Sequence, residues 1–300
     1  MQSPPLRSFL AHAHENRAKV QVGPVLIQCL ALCLALLCGG TVVSQQQPEA
    51  SPAAVQRLKV LSYNIHHAEG VDGRLDLERI ARVIRQSQAD LVALQEVDQR
   101  VARSQSVDQA QQLAKLLDMH FAFGANIDLQ EGHYGNAILS RYPINANQNH
   151  RLPNDNGGEQ RGVLEADIAL PDGVTLKFLS THFDHRADPV QRLSSAKWIN
   201  QKFADVDDQP VCLAGDLNAV PESSVLMELK KQWTLPNGQN QLTIPVDQPK
   251  RKIDYVLLSQ LSAQPRWTTR EVESRVLDEA IASDHRPVLS VLEIVSRQTL

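Results

Sequence analysis

Cysteine is nearly absent from the part of this chain that can build a core. Of four cysteines in 300 residues, Cys29, Cys33 and Cys38 fall within the first forty positions, and Cys212 stands alone downstream. A single cysteine forms no intrachain disulfide, and zinc sites built from clustered cysteines are excluded. Cys212 lies in Val211-Cys212-Leu213-Ala214, where it reads as a small buried hydrophobe rather than a reactive thiol. Long apolar runs are also missing. The one candidate, residues 25–37, is interrupted by Gln28 and falls short of the about 20 residues that a spanning helix needs. There is no nucleophile elbow, no phosphate-cradling glycine loop, no dinucleotide fingerprint and no internal repeat. These absences remove acyl-transfer, P-loop and Rossmann chemistries.

The short apolar run has a recognisable setting. Arg7, Arg17 and Lys19 precede it, Gly39, Gly40 and Thr41 follow it, and Val42-Val43-Ser44 offers a small-residue exit before Gln45. A basic front, a short apolar middle and a small-residue end describe an export signal over residues 1–44. The expectation is a periplasmic or secreted protein; an uncleaved membrane anchor is the alternative. Leu37 before Cys38 is larger than the residue a lipid-attachment motif carries there. Residues 45–56, rich in glutamine, proline and alanine, read as a flexible linker, and residues 57–296 as one domain. Without residues 1–44, 27 Lys+Arg face 33 Asp+Glu, a net of −6. Such a domain has no overall basic field to gather nucleic acid, so nucleic acid is the less favoured partner. The sequence implies no protein partner.

Downstream the apolar pattern alternates. Strands are expected over 58–65, 90–97, 136–140, 163–170, 174–181, 210–217, 253–258 and 287–294. Helices are expected over 76–88, 108–117, 189–203 and 222–231, the first capped by Asp76. Pro171-Asp172-Gly173 marks a hairpin between two strands. Mixed strands with helices outside them imply an α/β sandwich of two packed sheets, each covered by helices.

Polar residues recur where the apolar strands end: Asn64, Glu96, His182, Asp216 with Asn218, Asp254, and Asp284-His285. Strand ends converge on one rim of a sheet, so these side chains can meet across two hundred residues. Oxygen donors dominate, which suits magnesium, manganese or calcium rather than zinc. The strings Ser62-Tyr63-Asn64-Ile65, Leu94-Gln95-Glu96-Val97, Tyr134-Gly135-Asn136-Ala137-Ile138-Leu139-Ser140, Ser180-Thr181-His182, Gly215-Asp216-Leu217-Asn218, Ile253-Asp254-Tyr255 and Ser283-Asp284-His285-Arg286-Pro287 resemble, in this order, the motifs of the endonuclease/exonuclease/phosphatase family. One such string says little; seven in sequence are specific.

That resemblance implies a DNase I-like four-layer αββα fold and hydrolysis of phosphate esters with Mg2+ or Mn2+. It implies that Glu96, Asn64 and Asp284 serve the metal, and that His285 activates water with Asp254 holding its ring. It further implies that Asp216 and Asn218 contact the attacking water and the phosphoryl oxygens, and that His182 stabilises the transition state or protonates the leaving group. Asn136 and Arg161 are expected at the substrate. Arg161 could grip a phosphate with its planar fork or form a salt bridge. His66, His67 and His133 are candidates for shaping the entrance. The string Tyr63-Asn64-Ile65-His66-His67 and the Thr181-His182-Phe183-Asp184 string look more like bacterial relatives of sphingomyelinases and of glycolipid-anchor remodellers than like abasic-site nucleases. A phosphodiesterase acting on lipid at a membrane surface, or on another extracytoplasmic ester, is therefore favoured. A secreted nuclease is the first alternative, and a non-catalytic binding module the second.

Overall fold

A computed structural model describes residues 55–203, 209–235, 241–260 and 267–296. The expected export signal over residues 1–44 and the expected linker up to residue 54 lie outside the described residues. Twelve strands are described: β1 (Val55–Asn64), β2 (Leu91–Gln99), β3 (His120–Leu129), β4 (Gly132–Ser140), β5 (Ile144–Arg151), β6 (Gly162–Ala169), β7 (Thr175–His182), β8 (Val211–Asp216), β9 (Trp233–Thr234), β10 (Asp254–Ser259), β11 (Trp267–Val276) and β12 (Val288–Ser296). The helices are α1 (Leu77–Ser87), α2 (Gln109–Leu117), α3 (Val190–Phe203) and α4 (Ser224–Leu229). One boundary is corrected: Val55 and Gln56, assigned to the linker, pair with Val295 and Ile294 and begin β1.

The strands form two six-stranded mixed sheets, ordered β11-β12-β1-β2-β4-β3 and β5-β6-β7-β8-β10-β9. The pleat decides which residues fill the space between them. Leu58, Val60, Leu91, Ala93 and Ile138 of the first sheet meet Leu164, Ala166, Phe178, Cys212, Ala214 and Val256 of the second in one buried core. The residues of opposite parity turn outward. Leu61, Tyr63, Val92 and Leu94 pack with Ile80 and Ile84 of α1 and Leu113 of α2. Leu179, Val211, Leu213 and Leu257 pack with Ala196 and Ile199 of α3 and Leu226 of α4. Four layers result, as period-two alternation in the strands and a one-sided apolar stripe in the helices require. Asp76, Asp108 and Ser223 cap α1, α2 and α4, each accepting a backbone N–H of the first turn.

Two motif glycines prove structural. A Cβ on Gly135 would lie 1.9 Å from the Gly124 carbonyl, and one on Gly215 would lie 2.0 Å from the Thr181 carbonyl. Neighbouring backbone leaves no room for a side chain at either position, so any larger residue would force strands apart.

Candidate active site

The alternation that packs the inter-sheet core also delivers the polar residues. Continuing inward parity past the apolar stretch gives Ser62 and Asn64 on β1, Gln95 on β2, Ser180 and His182 on β7, Asp216 on β8 and Asp254 on β10. All are buried. Cross-strand register then aligns three of them. His182 stands beside Asp216 in the parallel β7–β8 pair, and Asp216 stands opposite Asp254 in the antiparallel β8–β10 pair. One row of the second sheet therefore carries His182, Asp216 and Asp254 side by side.

Glu96 reaches the site by a different device. By strict alternation it would share the outward parity of Val92 and Leu94. Between Leu94 and Val97 the β2–β4 register shifts, and Glu96 adopts φ +58°. A bulge with a left-handed residue re-aims one side chain. Its carboxylate accepts a hydrogen bond from Asn64 Nδ2 at 3.0 Å. A non-glycine residue held there costs of order 1 kcal/mol or more, and such strain gathers at functional sites. His66, His67 and Ala68 repeat the pattern, with φ values of +44°, +42° and +65° in succession. Asn218 does so at φ +47°.

Hydrogen bonds lock the cluster. Asn64 Nδ2 also donates to Asp216 Oδ2 at 3.2 Å, so one amide bridges the two sheets, while its Oδ1 accepts the His66 N–H at 3.1 Å. Asp216 Oδ1 accepts the Asn218 N–H at 2.9 Å. Ser283 Oγ donates to the Asn64 carbonyl at 2.7 Å, pinning the loop that presents Asp284 and His285. His285 Nδ1 lies 3.0 and 3.2 Å from the two oxygens of Asp254. The contact expected between residues thirty-one positions apart is present. A carboxylate only accepts, so Nδ1 carries the proton and Nε2 faces Asp216 Oδ2 at 3.7 Å.

Electrostatics separate the two histidines. Burial acts against the charged form of His285, but Asp254 and Asp216 outweigh it and raise its pKa to about 10. Burial, then the Asp254 carboxylate, lifts Asp216 above the usual carboxylate range. His182 moves the other way: burial, then the Arg161 guanidinium, holds it well below the usual imidazole range. Its ring is neutral. Arg161 Nη1 can only donate, and it lies 3.0 Å from His182 Nδ1. A second donor, Asn218 Nδ2, lies 3.1 Å from His182 Nε2, which also stands 3.4 Å from Asp216 Oδ2.

Arg161, expected at a substrate phosphate or in a salt bridge, is buried against His182, with His185 at 3.2 Å and Glu159 at 3.0 Å. Its Nε has no hydrogen-bond partner among the described residues. The guanidinium orients His182. Asn136 is likewise fully buried and donates to the Gly162 carbonyl at 3.1 Å, a contact between the two sheets. Its Oδ1 has no partner among the described residues. His133 pairs with Asp128 at 2.9 Å on the exposed β3–β4 hairpin. Sequence reasoning passed over His185, which adjoins the Thr181-His182-Phe183-Asp184 string, and gave Glu159 no role of its own. It also passed over Glu69, which contacts both His66 and His67. Burial lifts the Cys212 thiol far above its usual range, which leaves it inert as expected.

The donor set fits a divalent cation of hard character. Glu96, Asp216 and Asp284 are oxygen donors, and Asp216 lies opposite a second buried carboxylate, Asp254. A cleft of about 340 Å3 is lined by Ala68, Leu75, Ser104 and Gln109 among others. It contains none of the histidines, and the chemistry belongs to the rim described above.

Comparison with known proteins agrees with this geometry. The model of the "Endonuclease/Exonuclease/phosphatase family" matches residues 61–285. The protein YbhP of Escherichia coli strain K12, whose recorded name calls it uncharacterized, is 32% identical over 259 residues, covering 79% of this chain and 96% of its own. Among solved structures, an endonuclease/exonuclease/phosphatase from Beutenbergia cavernae aligns with TM-score 0.64 at 25% identity, over 80% of this chain and 72% of that one. A mannosyl-6-phosphatase from Bacteroides thetaiotaomicron shares the fold with TM-score 0.62 at 18% identity, over 78% and 99% of the two chains.

Proposed function

From the premise that this chain belongs to the endonuclease/exonuclease/phosphatase family, whose members hydrolyse phosphate esters, we propose that it is an exported, divalent-metal-dependent phosphodiesterase acting on a lipid or other extracytoplasmic ester. The observation that carries the chemistry is the Asp254–His285–Asp216 arrangement. A base oriented by one carboxylate faces a second that can share the attacking water. Asp254 holds the Nδ1 proton, so Nε2 is the atom that takes a proton from water. Glu96 and Asp284, with Asn64 fixing Glu96, would hold Mg2+ or Mn2+. A bound divalent cation supplies Lewis-acid stabilisation of phosphoryl charge and offsets the carboxylate field that otherwise keeps His285 protonated. His182, neutral and held between Arg161 and Asn218, stands beside Asp216 to stabilise the phosphoryl group as charge develops there. Arg161 holds the ring from its Nδ1 side.

Support for an interfacial substrate comes from two exposed aliphatic residues beside this rim. Val71 and Ile281 are 55% and 51% exposed, and the Val71 N–H donates to the Ile281 carbonyl at 3.0 Å. Ile281 is three residues from Asp284, and Val71 four from His67. Such a pair can enter the headgroup region next to the reacting phosphate. The net charge of −6 without residues 1–44 weighs against nucleic acid.

A panel of sphingomyelin, lysophospholipid, phosphoinositide, plasmid DNA and RNA, run with Mg2+ or Mn2+, tests the substrate class. Hydrolysis of a lipid headgroup ester is expected, with Val71→Ser/Ile281→Ser slowing vesicle substrates far more than short-chain soluble analogues. Preferential cleavage of DNA or RNA would replace this reading with the nuclease one. Export is tested separately. Amino-terminal sequencing of protein from the native host should find a start near Gln45, whereas cytoplasmic protein retaining Met1 would refute export.

A further inference from the structure

His66 and His67 are unused by the chemistry above, yet the fold spends strain on them. Three successive left-handed residues, none of them glycine, turn both imidazoles toward Glu96. Each of the three side chains offers one ligand atom, and these atoms lie within 4.8 Å of one another. Small side-chain rotations bring such a set around one ion, whose nitrogen and oxygen ligands stand about 2.0–2.2 Å away.

The protonation pattern points the same way. His66 Nδ1 lies 3.1 Å from the backbone carbonyl of Glu69, and His67 Nε2 lies 3.3 Å from Glu69 Oε2. Both partners only accept, so both of those nitrogens carry protons. The lone pairs are left on His66 Nε2 and His67 Nδ1. His67 is 93% buried, at 7% exposure, and its Nδ1 has no hydrogen-bond partner among the described residues. A buried, unpaired imidazole lone pair calls for a partner. A histidine that gives its other N–H to a carboxylate or a carbonyl is in the state in which metal-bound imidazoles are found. Here one residue, Glu69, sets both rings. The Gln109 side chain donates to the His67 carbonyl at 2.7 Å and steadies the turn.

We infer that His66, His67 and Glu96 form a nitrogen-containing cation site for a transition divalent ion such as Zn2+, Co2+ or Ni2+, beside the oxygen-rich rim that serves hydrolysis. Two imidazoles and one carboxylate suit such ions, whereas Mg2+ takes oxygen. The inference shares Glu96 with the proposed catalytic set, and to that extent rests on the same rim. It does not depend on which ester is cleaved.

Titration of the metal-free, full-length protein with Co2+ reads the ligands directly. We expect visible absorption bands of imidazole-bound Co2+ and two solvent-exchangeable, strongly shifted imidazole N–H proton resonances. His66→Asn and His67→Asn keep a residue that tolerates left-handed backbone. Each should remove one of the two resonances and weaken Co2+ binding at least ~10-fold, with circular dichroism unchanged. Wild-type protein that binds no Co2+, or bands and resonances indifferent to both substitutions, would overturn the inference. Variants that lose circular dichroism are replaced by Glu69→Gln, which leaves the ligands and should broaden or shift both resonances; unchanged resonances would again overturn it. Mg2+-supported hydrolysis by wild-type protein is followed in parallel. Its absence with the cobalt signature intact would refute the phosphodiesterase reading alone. Its presence without the signature would refute the nitrogen site alone.

Discussion

Replacing His285 by alanine is expected to lower the hydrolytic rate by roughly 10²–10⁴-fold, the range that a positioned general base supplies. Asp254→Asn should also cost about 10²-fold or more. An amide can turn its NH2 toward Nδ1 and favour the tautomer that leaves Nε2 protonated and unable to accept. The two residues touch at 3.0 Å, and both are buried. The double variant should therefore lose little more than His285→Ala alone, because groups acting as one unit are not additive. Single-turnover kinetics on all four proteins gives the cycle. Losses that multiply would show that the carboxylate and the ring act independently, and the assignment of Nε2 as the proton acceptor would fall.

Chelation is expected to bring activity to background, with recovery on adding Mg2+ or Mn2+. Glu96→Gln should raise the metal concentration for half-maximal activity on the order of tenfold or more, since a charged ligand oxygen becomes a neutral one. The substitution should leave the fold intact. Glu96 is only half-buried at a bulge, and the Asn64 amide that donates to it still finds Asp216. Metal-dependence curves and circular dichroism of both proteins check the two halves. A chelator-treated enzyme that remains fully active would remove metal from the mechanism.

The site residues were legible because their signal is the one that builds the sheets. Inward residues run from Leu58 and Val60 to Asn64, from Cys212 and Ala214 to Asp216, and from Val256 to Asp254. The same period of two that marks a strand also places its terminal polar residue on the inner face. The eight strands expected from the sequence are the eight interior ones. The four it missed, β3, β5, β9 and β11, are the sheet edges. Edge strands such as β5 and β11 contain no buried residue, so solvent replaces the apolar neighbours that would have written an alternating pattern. The first helix stood out by its apolar spacing and its capping Asp76, whereas the caps Asp108 and Ser223 emerged from the structure.

By itself, then, the sequence determined the interior strands, the helices, the family resemblance and the identity of the residues that meet at the rim. Those depend on local periodicity and on order along the chain. Tertiary structure alone decided how these side chains point and which atoms carry protons. The bulge that turns Glu96 inward arises from a mismatch between β2 and β4, which neither strand encodes alone. Arg161 became a buried orienter of His182 because other elements cover it. The left-handed run at His66–Ala68 is seen only once Glu69 and Gln109 are placed around it. Backbone sign, burial and hydrogen-bond partner are properties of the assembled neighbourhood, and a linear pattern of apolar and polar residues does not specify them.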